Sequence, residues 1–325
     1  MKELTTANIP IESMVNKYLR LTILPTEQCN FRCVYCYEDF QNGIMSFENI
    51  NAIKKLLDAR AQELENLSIS WFGGEPLVAK NIIVDISNYA LELSKKYDFK
   101  FTSDITTNGY NLTEKTFDDL CKVGVNTYHI SLDGPREIHN KTRILSNGEG
   151  TFDTIWNNLI NIHNSTKNAS VILRLHIDED KIVHIEELIN CIKKYFKGDD
   201  RFKVYLKSIS RLGGKNDEKL KVVNKVSLDN LINNLDKLLS DEQIYTNNNS
   251  MCYASSPINW VIRSTGDICK CTVGLNDSKN TVGKLNLDGS LNIDNKKLQP
   301  WFKGIINEDT SILNCPYAYI IKEGL

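Results

Sequence analysis

"LRLTILPTEQCNFRCVYCYEDF", Leu19–Phe40, joins two signals. Its first six residues are an apolar, β-branched run that reads as a buried strand. Its second half sets Cys29, Cys33 and Cys36 within eight residues. Three thiols are one short of a closed tetrahedral zinc site. A four-iron cube held by three thiolates keeps one iron open, and that iron can dock a chelating ligand. A strand that runs straight into such a loop puts the chemistry at its C-terminal end, where parallel α/β sheets gather it.

The same strand-then-helix alternation continues outward. Further strands are read at Leu67–Phe72, Phe99–Thr107, Thr127–Leu132, Ser170–Ile177 and Phe202–Ile209. Between them lie helical patterns. Ser46 can cap the first, whose Ile50, Ile53, Leu57, Ala61 and Leu64 share a face. Others cover Asn81–Tyr97, Thr113–Val123, Phe152–Asn164 and Ile182–Phe196. Six βα units predict an α/β fold with parallel strands and right-handed crossovers. Six are too few for a closed eight-stranded barrel, so an open, partial TIM-like barrel is expected over residues 19–215. Residues 1–18 read as a lead-in, and 216–251 as a bridge with a helix near Leu228–Leu239 and the loop "TNNNS". From Cys252 the segments are short, with a hairpin signal at Asp288-Gly289. Residues 252–325 are read as a separate small module.

Composition excludes some roles. The 325-residue chain has a formal net charge of −2, which offers no basic footprint for nucleic acid or an anionic membrane. It has no apolar run of about eighteen residues and no apolar signal core at the N-terminus. A cytoplasmic location is expected. The nine cysteines are therefore read as ligands, nucleophiles or core residues before disulfides. Cys121 and Cys191 fall on apolar helix faces and read as core thiols.

The Cys-x3-Cys-x2-Cys spacing, with Tyr35 just before the last cysteine, resembles the signature of the radical S-adenosylmethionine (SAM) superfamily. Further motifs stand in matching order. "GGEP" (Gly73, Gly74, Glu75, Pro76) follows the second strand, "TTNGY" with Asn108 the third, and "SLDGPREIHNKTR" (Ser131–Arg143) the fourth. The resemblance implies that Gly73, Gly74 and Glu75 meet the SAM amino group, that Ser131 and Asp133 lie near its ribose, and that Arg143 pairs with its carboxylate. Asn108 and, in "RLHI", Arg174 would also face the cofactor. An arginine fork suits a carboxylate. Asn140 stands where the family usually has aspartate.

Cys252, thirteen residues, Gly266, four residues and Cys271 resemble the opening of the SPASM and Twitch auxiliary-cluster domains. A full SPASM domain continues with four more cysteines. Here only Cys315 is present, and the other three positions would fall on Ile312, Ile321 and Leu325. That allows one further four-iron cluster, from Cys252, Cys271, Cys315 and Cys269. Residues i and i+2 on a strand share a face, so Cys269 and Cys271 can point the same way. If Cys269 is not a ligand, it is a candidate hydrogen-atom donor. The alternative is a module that keeps the fold and binds no cluster.

What the resemblance implies is reductive cleavage of SAM to a 5′-deoxyadenosyl radical that abstracts hydrogen from a peptide or protein residue. The outcome would be a crosslink, an epimerisation or an oxidation. Such an enzyme needs a low-potential electron donor of the flavodoxin or ferredoxin type and an anaerobic or micro-aerobic host. The lead-in is too short for a leader-peptide domain, so a separate leader-binding protein or recognition by the barrel edge is expected. Two other readings remain: a small-molecule dehydrogenase with one auxiliary cluster, and a non-catalytic iron–sulfur electron carrier.

Overall fold

The computed structural model describes residues 16–224, 226–228, 230–231 and 251–325. Most of the helix expected near Leu228–Leu239, the "TNNNS" loop and nearly all of the lead-in lie outside the described residues.

The six expected strands form, each within a residue or two of its sequence reading. They are β1 (Tyr18–Ile23), β2 (Asn66–Trp71), β3 (Lys100–Thr107), β4 (Val125–Leu132), β5 (Ser170–Ile177) and β6 (Phe202–Ser208). They pair in parallel in sequence order. Helices α1 (Phe47–Ala61), α2 (Lys80–Tyr97), α3 (Glu114–Lys122), α4 (Arg136–Thr142), α5 (Phe152–Asn164) and α6 (Ile185–Phe196) cross between them. The Ser46 side chain accepts from the Asn49 amide and starts α1 as its sequence suggests. The result is a partial (β/α)6 barrel.

Each strand divides its residues between two environments. Leu19, Leu21 and Ile23 of β1, Leu67, Ile69 and Trp71 of β2, and Val171, Leu173, Leu175 and Ile177 of β5 are buried in the main core with the helices. The alternate positions are polar and lie side by side across the sheet. Thr22 pairs with Ser70, Ser70 with Asp104, and Asp104 with Thr127. Ser131 pairs with Arg174, Arg174 with Tyr205, and His176 with Lys207. One face of the sheet is thus the core, and the other is a polar inner wall.

The strands after Cys252 extend the same sheet. β7 (Asn259–Ile262) pairs in parallel with β1, and β8 (Asp267–Cys269), β9 (Thr281–Leu285) and β10 (Leu291–Ile293) follow antiparallel. The strand order is β10-β9-β8-β7-β1-β2-β3-β4-β5-β6. The change in sequence character at Cys252 is therefore not a break in the sheet. An open barrel leaves β1 with an unpaired edge, and β7 covers it. The hairpin bends fall at Gly266 (φ +83°) and Gly289 (φ +88°), as the sequence suggests. Among the described residues no helix is long and apolar enough to cross a membrane.

Candidate functional site

The loop with Cys29, Cys33 and Cys36 leaves β1 at its C-terminal end and is fixed by the ends of its neighbours. After β2, Gly73 (φ +123°) and Gly74 bring the turn against it. A Cβ on Gly73 would stand 2.2 Å from the Thr26 carbonyl oxygen, and one on Gly74 2.6 Å from that of Gln28. The clearance these glycines give is taken by the chain's own loop, and the Glu75 amide donates to the Gln28 carbonyl (2.9 Å).

Glu75 is buried, and its carboxylate accepts from the Leu77 amide (2.9 Å), the Thr107 hydroxyl (2.7 Å) and the Asn108 amide (2.6 Å). Burial nonetheless raises its pKa above the usual carboxylate value. Three of about four acceptor positions are spent, two of them locking the end of β2 to β3 and one closing the turn after β2. Asn108 donates from its side chain to Asn30 Oδ1 (2.8 Å), tying β3 to the cysteine loop.

Tyr35, between Cys33 and Cys36, is the hub of the loop. Its hydroxyl donates to Asp133 Oδ1 (2.8 Å) and accepts from Arg143 Nη1 (2.7 Å). Asp133 is fully buried. It also accepts from the Thr142 hydroxyl (2.7 Å) and faces His176 Nδ1 (3.4 Å) and Lys181 Nζ (3.2 Å). Burial opposes its ionisation, but the His176 hydrogen bond and the charges of Lys181 and Arg143 hold it well below the usual range. Ser131 is buried two residues before it on β4. Arg174 stands beside Ser131 on β5.

His139 is pushed down to about 3, chiefly by burial, and is neutral. One tautomer satisfies its ring. Nδ1 accepts from the Asp133 amide, Nε2–H donates to the Thr151 hydroxyl (3.1 Å), and that hydroxyl donates to the Arg143 carbonyl (2.6 Å). Asn140 accepts from the Thr151 and Phe152 amides at the start of α5. An amide oxygen does this work as well as a carboxylate, which accounts for asparagine at this position.

The residues fit an anionic ligand and a cluster. Arg143 is buried, its Nε has no hydrogen-bond partner, and it makes no ion pair with a carboxylate among the described residues. The three loop cysteines are free thiols. Cys29 feels both Cys33 and Cys36, and burial raises all three, Cys36 to about 12. Among the described residues no three His, Cys, Asp or Glu side chains could clasp a single metal ion. A cube needs no such common point, because its three thiolates sit on three different irons.

The late cysteines separate. Cys271 lies in the field of Cys252 and Cys315, and Cys252 in that of Cys315. Cys269 does not join them. It is buried in a packet of Leu24, Val261 and Leu275, with its sulfur 3.8 Å from the Thr281 hydroxyl. β8 ends at Cys269 with an irregularity, so the alternation that would align it with Cys271 does not extend that far. A fully buried thiol in that packet offers no approach for a substrate either, so neither expected role of Cys269 suits its placement. Cys121 and Cys191 pack against the main core, as expected.

Several linking residues escape a sequence reading. Arg263, at the β7–β8 bend, donates to both Glu27 oxygens (3.2 and 2.5 Å) and so joins the base of the cysteine loop to the C-terminal strands. A cavity of about 290 Å³ lies along this seam, and Glu38 on its wall is pushed up to about 8 by burial and then by Glu27. Lys181 lies in a charged loop with nothing to mark it. His176 could have been found, two residues past Arg174 on the same strand face.

Comparison with known proteins agrees with this geometry. The Radical SAM superfamily profile matches residues 23–192, more than half of the chain. The cysteine-type anaerobic sulfatase-maturating enzyme of Clostridium novyi (strain NT) is 32% identical over 194 residues, covering 57% of this chain and 49% of that protein. GTP 3′,8-cyclase of Campylobacter jejuni (strain RM1221) is 29% identical over 181 residues, covering 52% and 51%. The chain thus spans about half the length of the curated relatives it matches. The structure of native anSMEcpe with bound AdoMet and Cp18Cys peptide superposes with a TM-score of 0.66 at 20% identity, over 92% of this chain and 88% of that one. Profile and fold agree, and the chain belongs to the radical SAM superfamily.

Proposed function

We propose that the chain is a radical SAM enzyme that modifies a peptide or protein. In this reading Cys29, Cys33 and Cys36 hold a four-iron cluster, and Arg143 receives the SAM carboxylate. Gly73, Gly74, Glu75 and Asn108 shape the turn beside the methionine moiety, and Ser131, Asp133 and Arg174 stand towards the nucleoside. With both groups bound, one electron cleaves SAM to methionine and a 5′-deoxyadenosyl radical, which takes a hydrogen atom from a substrate carbon. The protein's part is to bind, orient and exclude water. Asp133, Tyr35 and Arg143 set the loop, and the barrel interior shields the radical. Cys252, Cys271 and Cys315 would hold an auxiliary cluster, which would supply an electron acceptor or a ligand position for a substrate thiolate. A flavodoxin- or ferredoxin-type donor supplies the electron, and the leader is read by a separate protein or by the barrel edge.

The observation that carries this reading is a buried Arg143 with no direct carboxylate ion pair among the described residues and an unpartnered Nε, set beside three thiols at the C-terminal strand ends. The peptide substrate is favoured by the sulfatase-maturating relative and by the peptide in the anSMEcpe structure. Anaerobically reconstituted protein with dithionite and SAM is expected to release 5′-deoxyadenosine, and a Cys33→Ala variant none. An electron carrier would release none in either case. A small-molecule substrate is the second reading, favoured by the GTP 3′,8-cyclase relative. Mass spectrometry of a peptide encoded nearby and co-expressed decides between them: an unmodified peptide counts against the first.

A further inference from the structure

The inner wall of the barrel carries more positive charge than the cofactor reading uses. Its polar stripe holds Arg20, Arg174, Lys203 and Lys207 against two acids among the described residues, Asp104 and, just past the end of β4, Asp133. Asp104 is engaged by the Ser70 hydroxyl (2.7 Å). A cavity of about 390 Å³ opens on this wall, lined by Thr102, Asp104, Thr127, His129, Ser170 and Ile172. Towards the cysteine loop the wall continues through Arg174 and Tyr205 to His176 and Lys207. Among the described residues, neither Arg174 nor Lys207 has a carboxylate or any hydrogen-bond partner for its side chain. The two cations sit on adjacent strands and repel: partial desolvation lowers the pKa of each, and the Arg174 charge lowers that of Lys207 further. Lys207 is exposed, so an entering chain can reach it.

Two neighbouring cations with no acid paired to them among the described residues, on a polar wall, suit an anion. We propose that Arg174 and Lys207 form a subsite that binds a carboxylate of the peptide substrate and so presents the nearby carbon to the cofactor end of the barrel. The assignment rests on the peptide-modifying reading. It makes the preferred substrate a peptide with an acidic side chain, or a free C-terminus, close to the residue that is modified.

Three acetylated pentapeptides test this in the SAM-loaded, anaerobically reconstituted enzyme: Gly-Ala-Glu-Ala-Gly amide, Gly-Ala-Gln-Ala-Gly amide, and Gly-Ala-Gln-Ala-Gly with a free C-terminus. Binding is read by saturation-transfer NMR. At least one carboxylate peptide is expected to bind about tenfold tighter than the all-amide peptide, and the peptide that does so identifies side chain or terminus. Lys207→Gln is expected to cut that preference to about threefold or less, and Arg174→Gln likewise, with Arg174→Lys keeping part of it. The preference is a ratio within one preparation, so a misfolded fraction cancels. Equal affinity for acid and amide, no binding of any peptide, or an unchanged ratio in Lys207→Gln overturns the subsite. Failure of the underlying reading shows separately, as SAM left uncleaved under dithionite while the acid-to-amide ratio persists.

Discussion

Replacing Arg263 by methionine removes a charge and keeps most of the side-chain volume. Glu27 and Arg263 are 4% and 6% exposed. Beyond Arg263, the side-chain donors to Glu27 among the described residues are Ser264 Oγ (3.1 Å) and Asn42 Nδ2 (3.0 Å). The variant therefore strands a buried carboxylate with two neutral donors, and removing one partner of such a pair costs about 3–5 kcal/mol. Glu27→Gln should cost less, about 1–3 kcal/mol, because Arg263 keeps the Leu275 carbonyl and Asn276 Oδ1. The double variant should cost less than the sum by about 2 kcal/mol. Native-state hydrogen exchange reads this at the seam, through the Arg20 and Leu24 amides that donate to Ile258 and Ile262. The pH dependence has a definite sign. Burial raises the Glu27 pKa, but the Arg263, Asn42 and Ser264 hydrogen bonds outweigh it, so the folded value is depressed. Its stabilisation is present above the unfolded value of about 4.3 and fades as pH falls through the folded one. In Arg263→Met the burial effect loses its main opponent, the folded value rises, and acidification should narrow the gap to wild type. A cost under about 1 kcal/mol, or strict additivity in the double variant, would refute the assignment of this pair as the tie between loop and C-terminal strands.

Three further outcomes are expected. Asn140→Asp should change the melting temperature little, whereas Asn140→Ala should lose about 1 kcal/mol by leaving the first α5 amides without their cap. Alanine at Cys252, Cys271 or Cys315 should lower the iron content of reconstituted protein by about four per chain, by the stoichiometry of a four-iron cluster, and Cys269→Ala should leave it unchanged. Gly73→Ala meets the Thr26 carbonyl at 2.2 Å from a positive-φ position, and urea unfolding should show a loss of about 2–4 kcal/mol.

The parallel sheet was legible because its signals are local. A strand such as "SVILRLHI" and the helix pattern after it are complete within a few tens of residues, and the Ser46 cap within four. The cysteine loop was legible for the same reason. The ties that hold it were not. Arg263 and Glu27 are 236 positions apart, and neither has a neighbour that marks it for a partner. The alignment of Cys269 with Cys271 failed because period-2 reasoning presumes a strand, and β8 stops at the first of them. The polar inner wall was open to view in the alternation of "ILRLHI". Reading such strands as uniformly buried hides it, since a sheet covered on both faces is expected to be apolar on both.

A barrel interior differs from such a sheet in what its inner face must do. Lys181 pairs with both Asp133 (3.2 Å) and Asp178 (3.0 Å), and His176, pushed down to about 4 chiefly by burial, adds no charge near neutral pH. Among the described residues, Asp133 reaches Arg143 only through the Tyr35 hydroxyl. That leaves Arg143 buried with a phenol as its hydrogen-bond partner. A buried charge so placed is costly unless an anion joins it. Thiolates in the loop and a ligand carboxylate would each lower that cost, so binding either should favour the other. The same electrostatic logic extends along the wall to Arg174 and Lys207, which make no ion pair with an acid among the described residues, so an entering carboxylate would lower the cost of their charge.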